Sequence, residues 1–513
     1  MTLPLKNEFL QYVKEGKTVP LYEEIPYTSP QSMYALFRSS NTLLLESIKG
    51  QEKIARYSFI SFEPRLTFRI KDGRIGVENN NRHHKSGNGR LMVKEDEISS
   101  NRPLHVMKDL IASYRQSPFE FLPPFQGGIA GVLSYDFVQY LERLPKDAVD
   151  DLYLPDAHFF LVDRLIVFDH FRRKGWVIAC PGVMESLRKE LSQNGIDWSE
   201  KYDEAEREIE NILKRIKNNH MHMSRNNPQS AISNQQSSKI DIIYEMKKNS
   251  YMDIVKRTKE YIAAGDIFQA NLSQRVSAHI GDKSPWRLYE ILSSINPSPF
   301  AAFIDFGDYQ IVSSSPERLI RVKEGIIETR PIAGTRPRGI DVVEDELLRV
   351  ELLLNQKERA EHIMLIDLER NDLGKVSHYG SVVVDELMIT EDCSHVMHIV
   401  SNIRGNLAHG RDCFDAIRAT FPGGTITGVP KVRCMEIIDE LEPVRRGPYT
   451  GSIGYIGFSG NMDLNIIIRT FVIKDEMAYV QVGAGIVADS DPLREYYETI
   501  KKAEALIRTL ESV

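Results

Sequence analysis

The chain has 513 residues, 42% of them hydrophobic and 27% charged, with a formal net charge of −7. That length supports two to four domain-sized units with buried cores. The mildly acidic balance gives a nucleic-acid partner no electrostatic support, and no apolar run reaches the ~20 residues of a membrane span.

The first residues, "MTLPLKNEFLQYVKEGK", lack the long apolar core of a secretory signal. Four cysteines, Cys180, Cys393, Cys413 and Cys434, form no CxxC pair, so reduced thiols and a cytoplasmic enzyme are expected. Short strand-like runs ("TLLLESI", "ARYSFISF", "GWVIAC") then alternate with a few helices. The insertion at 78–90, "ENNNRHHKSGNGR", reads as a loop whose His83 and His84 are solvated and not metal ligands. The segment 217–239 is rich in Asn, Ser and Gln and poor in large apolar residues. It reads as a flexible linker between an N-terminal region, 1–216, and a C-terminal region, 240–513.

Beyond the linker, helices are predicted at 342–371, 430–441 and 492–511. The β-branched runs from "GSIGYIGFSG" to "GAGIVA", split by "SGNM" and "KDEM", predict an antiparallel meander. Blocks of strands with helices between them suggest an α+β layered fold, not a doubly wound parallel sheet.

Two of these helices carry paired carboxylates: Glu358 and Glu361 in "KERAEHIMLIDLERNDLG", Glu495 and Glu498 in "LREYYETIKKAEAL". Each pair stands on a stripe that turns apolar, where a carboxylate is costly unless protonated, paired or bound to a cation. Either both faces are simply hydrated, or the pairs converge. Converging oxygen ligands without His or Cys favour Mg²⁺ or Ca²⁺, and Mg²⁺ leaves positions open for an anionic substrate.

"FPGGTITGVPKVR" has glycines at Gly423 and Gly428 in phosphate-loop spacing, but Val429-Pro430 replaces the Gly-Lys continuation. A Gly/Thr-rich turn into a helix suits either an anion or an ordinary cap, with Pro430 in the helix's first turn. Two polar residues interrupt apolar strands. Alternation puts His398 on the face of Val396 and Val400, and Arg469 on the face of Ile467 and Phe471. A strand His is commonly a satisfied core residue. A buried Arg demands an anion, because its charge cannot be neutralised in place. Gly483 and Gly485 in "VGAGIVADS" permit close approach of backbone to a ligand, or a β-bulge. No Cys lies in a glycine-flanked nucleophile turn, so the chain shows no glutaminase of its own.

As a set, "SSSPERLI", "ETRPIAGTRPRG", "ERAEHIMLIDLERNDLG", "SHVMHIVS", "GSIGY" and "GAGIVADSDP" resemble the chorismate-utilising family. Within it, the chain is similar to the large subunits of anthranilate synthase and aminodeoxychorismate synthase. The likeness is strong from about 245 onward and weaker but continuous before it. It implies an anthranilate-synthase-like fold, two interleaved parts around a β-sandwich with helices packed outside. It implies a Mg²⁺ ion surrounded by Glu358, Glu361, Glu495 and Glu498, with Glu361 and Glu498 as direct ligands, gripping the ring carboxylate of chorismate. Gly334 and Thr335 are expected beside that carboxylate. Tyr449, Arg469, Lys502 and the backbone at Gly483 and Gly485 are expected at the enolpyruvyl carboxylate. His398 and Thr425 are expected to line the ring site, and Glu317 to be the general acid for loss of the 4-hydroxyl. Relatives that add water carry a Lys base where this chain has Gln269, so ammonia from a separate glutaminase subunit is the expected nucleophile.

The product divides the family. Ala333 in "PIAGT" is the anthranilate synthase form, whereas "FPGGTITG", "YTGSIGY" and "MDLNIIIRT" look like the aminodeoxychorismate group, toward which the balance leans. Ser47 matches the family's effector pocket with Pro299, Phe300 and Ala301, although "NPSPFAAF" departs from "NPSPYM" and puts tryptophan inhibition in doubt. The alternative of another class is an effector-binding protein without turnover.

Overall fold

The computed structural model describes residues 1–80, 98–99, 102–187, 195–223, 240–392 and 396–513. Strand-forming runs from both halves of the chain pair with one another. Thr42–Glu46, for example, lies antiparallel to Phe300–Asp305, with Leu45 opposite Ala302. Among the described residues two twelve-stranded sheets result.

The first sheet runs Leu21–Pro26, Lys174–Ala179, Arg164–Asp169, Tyr57–Ser61, Thr42–Glu46, Phe300–Asp305, Gln310–Ser315, Thr470–Lys474, Met477–Ile486, Gln269–His279 and Ile242–Tyr244. Gly428–Val429 adds to Gln269–His279 off this path. The second runs Ile332–Pro337, Val396–Asn406, Ile326–Arg330, Arg318–Lys323, Met462–Asn465, Ser452–Gly457, Gly128–Leu133, Ala157–Val162, Leu66–Lys71, Arg74–Asn79 and Ile98–Ser99. Val383–Asp392 pairs with Val396–Asn406 beside it.

The sheets face each other across a core built by Phe59, Leu165, Val167 and Ile304 of the first and Ala130, Val132, Phe160 and Ile453 of the second. Helices cover the outer faces. Phe9, Ile209, Leu288 and Leu506 pack with Ile166 and Val312 outside the first sheet. Leu110, Ile366 and Ile417 pack with Phe68, Ile320 and Ile403 outside the second. This is an α+β sandwich of sheets with helices outside, to which both halves of the chain contribute.

Four sequence expectations change in detail. The helix expected over 342–371 is two helices, Val342–Leu354 and Gln356–Gly374. Asn355 between them is extended, and its side chain accepts the Glu358 N–H at 3.1 Å, which starts a new helix where a continuous apolar pattern reads through. Pro430 is the N-cap of helix Lys431–Leu441, one residue ahead of its first turn. The linker expected from 217 begins as the end of helix Trp198–Met223. The remainder of that linker, and His83 and His84 of the expected loop, lie outside the described residues.

The fourth change matters most. "LNIIIRTFVI" is not one strand: Met462–Asn465 belongs to the second sheet and Thr470–Lys474 to the first. The chain crosses between sheets through 466–469, and Arg469 stands at φ 52°. Ile466, Ile467 and Phe471 enter three different cores, so each of the three is apolar for its own reason and periodicity cannot see the crossing. A second crossing joins Gln310–Ser315 to Arg318–Lys323 through Pro316 and Glu317. The two crossings lie side by side, the Ile466 N–H donating to the Glu317 carbonyl at 3.0 Å.

Candidate active site

Glu317 stands where the chain leaves one sheet for the other, and its side chain is buried. Burial raises its carboxyl from the ordinary 4.5 to about 7, with Glu369 adding to the rise. The Thr425 hydroxyl at 3.0 Å, the Ile332 N–H and the Arg469 guanidinium oppose that rise. Near neutral pH this carboxyl can therefore still carry a proton, as a general acid must.

Arg469, on the neighbouring crossing, reaches Asn296 Oδ1 at 3.4 Å. Its charge also acts on His398, whose imidazole is lowered to about 4, first by burial. The ring is thus neutral at physiological pH. Its Nδ1 lies 2.9 Å from the Thr335 hydroxyl and 3.3 Å from the Gly334 carbonyl, while Nε2 is buried without a partner. Gly334 has φ +59°, and a Cβ there would fall 3.1 Å from Glu358 Oε2. Strand Ile332–Pro337 therefore ties the first glutamate pair to His398, and Arg469 ties His398 to Glu317.

The two glutamate pairs stand on helices that lie within electrostatic reach of each other. Glu361 feels Lys502 of the C-terminal helix, and Glu495 feels Lys357 of the other. Each helix's lysine thus lies within electrostatic reach of the opposite helix's carboxylate. Glu361 and Glu495 are both raised above 4.5, mainly by burial and then by the neighbouring carboxylates Glu358 and Glu498. Glu358 pairs with Arg336 at 3.4 Å and Glu498 with Lys502 at 2.9 Å. Among the described residues no three His, Cys, Asp or Glu side chains are gathered closely enough to cage a metal. A hard cation that keeps most of its water needs only one or two carboxylates, and one from each helix would meet that demand. The all-oxygen donor set fits Mg²⁺.

Strand Gln269–His279 and its neighbour Met477–Ile486 floor this region. Gln269 Nε2 donates to Glu361 Oε1 at 3.0 Å, and its Oε1 is buried without a partner. A Cβ at Gly485 would fall 2.5 Å from Gln269 Nε2, and one at Gly483 would fall 2.8 Å from the Tyr449 hydroxyl. Only glycine lets those side chains lie on this strand. Lys502 Nζ donates to the Gly483 carbonyl at 3.0 Å. The phosphate-loop-like turn is satisfied by the protein itself. Its Gly424 N–H meets Glu369, Thr425 bonds Glu317 and Thr427 bonds the Gly423 carbonyl at 2.8 Å.

Residues 40–508 match the family of chorismate binding enzymes. The chain is a member of that family. This chorismate-binding enzyme is 40% identical over 515 residues to anthranilate synthase component 1 of Acetivibrio thermocellus, covering 100% of this chain and 99% of that one. It is 42% identical over 501 residues to aminodeoxychorismate synthase component 1 of Bacillus subtilis, covering 97% of each. Its fold matches the crystal structure of anthranilate synthase component I from Streptococcus pneumoniae with a TM-score of 0.73 at 34% identity, over 95% of this chain and 99% of that one. The enzyme is thus similar to relatives of two product specificities.

Ser47, Pro299, Phe300 and Ala301 lie away from the glutamates, lining a separate cavity of about 370 Å³. The Ser47 hydroxyl donates to the Pro299 carbonyl at 3.0 Å. The Arg318 guanidinium, held by Asp463 at 2.9 Å, lies over the Phe300 ring at 5.1 Å. Glu317, Glu361, Glu369 and Glu495 do not line this cavity. Sequence reading passed over Glu369 and Asn271, whose Oδ1 is buried without a partner 2.5 Å from where a Cβ on Gly483 would stand. Glu369 continues the buried stripe of Glu361 and Leu365, and Asn271 shares a strand face with Gln269, so both were open to the periodicity rules.

Proposed function

We propose that this enzyme aminates chorismate at C4 with ammonia supplied by a separate glutaminase subunit, giving 4-amino-4-deoxychorismate. The observation that carries the reading is the buried Glu317 carboxyl at the crossing between the sheets, raised to about 7 by burial and held by the Thr425 hydroxyl at 3.0 Å. Glu361 and Glu498 would hold a Mg²⁺ ion, with Glu358 and Glu495 behind them. When bound, that ion neutralises and orients the ring carboxylate of the dianion. Arg469, Tyr449, Lys502 and the backbone at Gly483 and Gly485 bind the enolpyruvyl carboxylate, and Gly334 and Thr335 flank the ring carboxylate.

In the reaction the C4–O bond breaks as Glu317 passes its proton to the departing oxygen, which leaves as water. Ammonia forms the C4–N bond, and the surplus proton on nitrogen restores the Glu317 acid. Neutral His398 and Gln269 line the ring without adding charge. Gln269 offers no amine base to activate water, which supports ammonia, a nucleophile that needs none. The "component 1" names of the relatives support a second subunit as its source.

Anthranilate is the second reading. Ala333 offers no amine for a covalent route to C4, and the cavity at Ser47 suits a regulated anthranilate synthase. The test is to incubate the protein with chorismate, Mg²⁺ and an ammonium salt and identify the product by mass. The expected product keeps its enolpyruvyl group until a lyase is added. Fluorescent anthranilate and pyruvate without lyase would overturn the C4 assignment, and no consumption of chorismate would overturn the enzyme reading.

A further inference from the structure

Behind the general acid lies a second buried carboxylate that the reaction above does not use. Glu369 extends from helix Gln356–Gly374 and is 4% exposed. A Cβ placed on Gly424 would fall 3.3 Å from its Oε1 and 2.2 Å from Leu368 Cδ2, so only glycine lets the turn close on this helix. The next residue, Thr425, donates its hydroxyl to Glu317 Oε1 at 3.0 Å. One turn therefore clamps both carboxyls, Glu369 through the Gly424 N–H and Glu317 through the Thr425 hydroxyl.

We propose that Glu369 is a positioning residue for the general acid. From behind the Gly424–Thr425 turn it fixes that turn against Glu317, and its negative charge keeps the catalytic proton on Glu317. The inference rests on Glu317 being the acid.

The surroundings of the two groups decide which one keeps the proton. Glu369 is faced by Asp372 on its own helix, Lys431 from helix Lys431–Leu441, Thr329 from strand Ile326–Arg330, the Gly424 N–H and Glu317. Lys431 Nζ lies 2.5 Å from Asp372 Oδ2 and also donates to the Thr420 and Pro422 carbonyls, so its charge is fixed on the Glu369 side. Lys375 holds the other Asp372 oxygen at 2.8 Å. Glu317 is faced by Glu369, Arg469, Thr425 and the Ile332 N–H. Burial raises each carboxyl to about 7, and two neighbouring buried carboxyls resist ionising together. When a doubly negative substrate enters, its charge falls on the Glu317 side. The remaining negative charge then rests on Glu369 beside Lys431, and the proton rests on Glu317.

The test is the pH profile of kcat for Glu369→Gln, which keeps the acceptor for Gly424 but removes the charge. Its alkaline limb should move down by about one unit, so kcat falls about tenfold at pH 8 and less than about twofold at pH 6, with KM unchanged. Glu369→Asp, which keeps the charge, should restore most of the limb's position. The reciprocal measurement needs no Glu369 variant. In Glu317→Gln the remaining carboxyl, Glu369, followed by infrared difference spectroscopy, should titrate about one unit below the upper of the pair's two steps in the unmutated protein, and that upper step should disappear. An unmoved limb in Glu369→Gln, or an unmoved carboxyl titration in Glu317→Gln, would overturn the inference while leaving Glu317 as the acid. If Glu317→Gln kept full activity, the acid assignment itself would fall.

Discussion

Replacing Glu317 by Gln separates its catalytic role from its cost to the fold. The carboxyl is raised from 4.5 in the unfolded chain to about 7 in the folded one, first by burial. A raised carboxyl contributes stability that is fully present below pH 4.5 and lost as pH rises through 7. At about 1.4 kcal/mol per unit, the loss approaches ~3 kcal/mol by pH 8. Gln does not titrate, so the variant escapes that loss. Denaturant unfolding of both proteins at pH 5 and pH 8 should show the wild type losing up to ~3 kcal/mol more than Glu317→Gln between the two. Turnover should move the other way, with kcat falling about 10²–10⁴-fold for want of a positioned proton donor. The wild-type rate should itself fall above about pH 7 as the acid ionises. Equal pH dependence of stability in the two proteins would refute the claim that Glu317 is desolvated. Undiminished turnover would refute its role as acid.

Glu361→Gln and Glu498→Gln should each abolish Mg²⁺-dependent turnover while circular dichroism and melting stay native; wild-type rates in either variant would remove that ligand. Gly485→Ala puts a methyl 2.5 Å from Gln269 Nε2 and should push that amide off Glu361. A hydrogen bond to a charged group is worth about 1.5–3 kcal/mol, so the Mg²⁺ concentration for half-maximal rate should rise about tenfold or more. An unchanged Mg²⁺ requirement would show that Gln269 does not tune Glu361. His398 is held neutral, lowered to about 4 by burial and Arg469, so its ring proton resonances should not titrate between pH 5.5 and 8. A midpoint near the ordinary 6.5 would contradict that.

Much of the site was legible because its residues violate a local pattern. Glutamates on an apolar stripe, an arginine inside "NIIIRTF" and glycines inside a β-branched strand each signal a partner from elsewhere in the chain. The route by which those partners meet was not legible. Ile466, Ile467 and Phe471 look alike in sequence, yet they serve three cores, so the crossing that places Arg469 beside Glu317 leaves no periodic trace. Asn355 divided a helix for a local reason, its side chain capping Glu358, where hydrophobic spacing alone runs on. Glu369 was missed because one acid on a helix rich in acids is unremarkable until the Gly424 turn is seen closing on it.

The direct test of the central claim is calorimetric titration of chorismate into the ammonia-free protein with and without Mg²⁺. The acidic side chains that the two helices bring within electrostatic reach should repel the dianion unless the cation is present. Binding should therefore need Mg²⁺ in the wild type and disappear when Glu361→Gln and Glu498→Gln are combined. Equally tight binding without the metal, or in the double variant with it, would contradict the account.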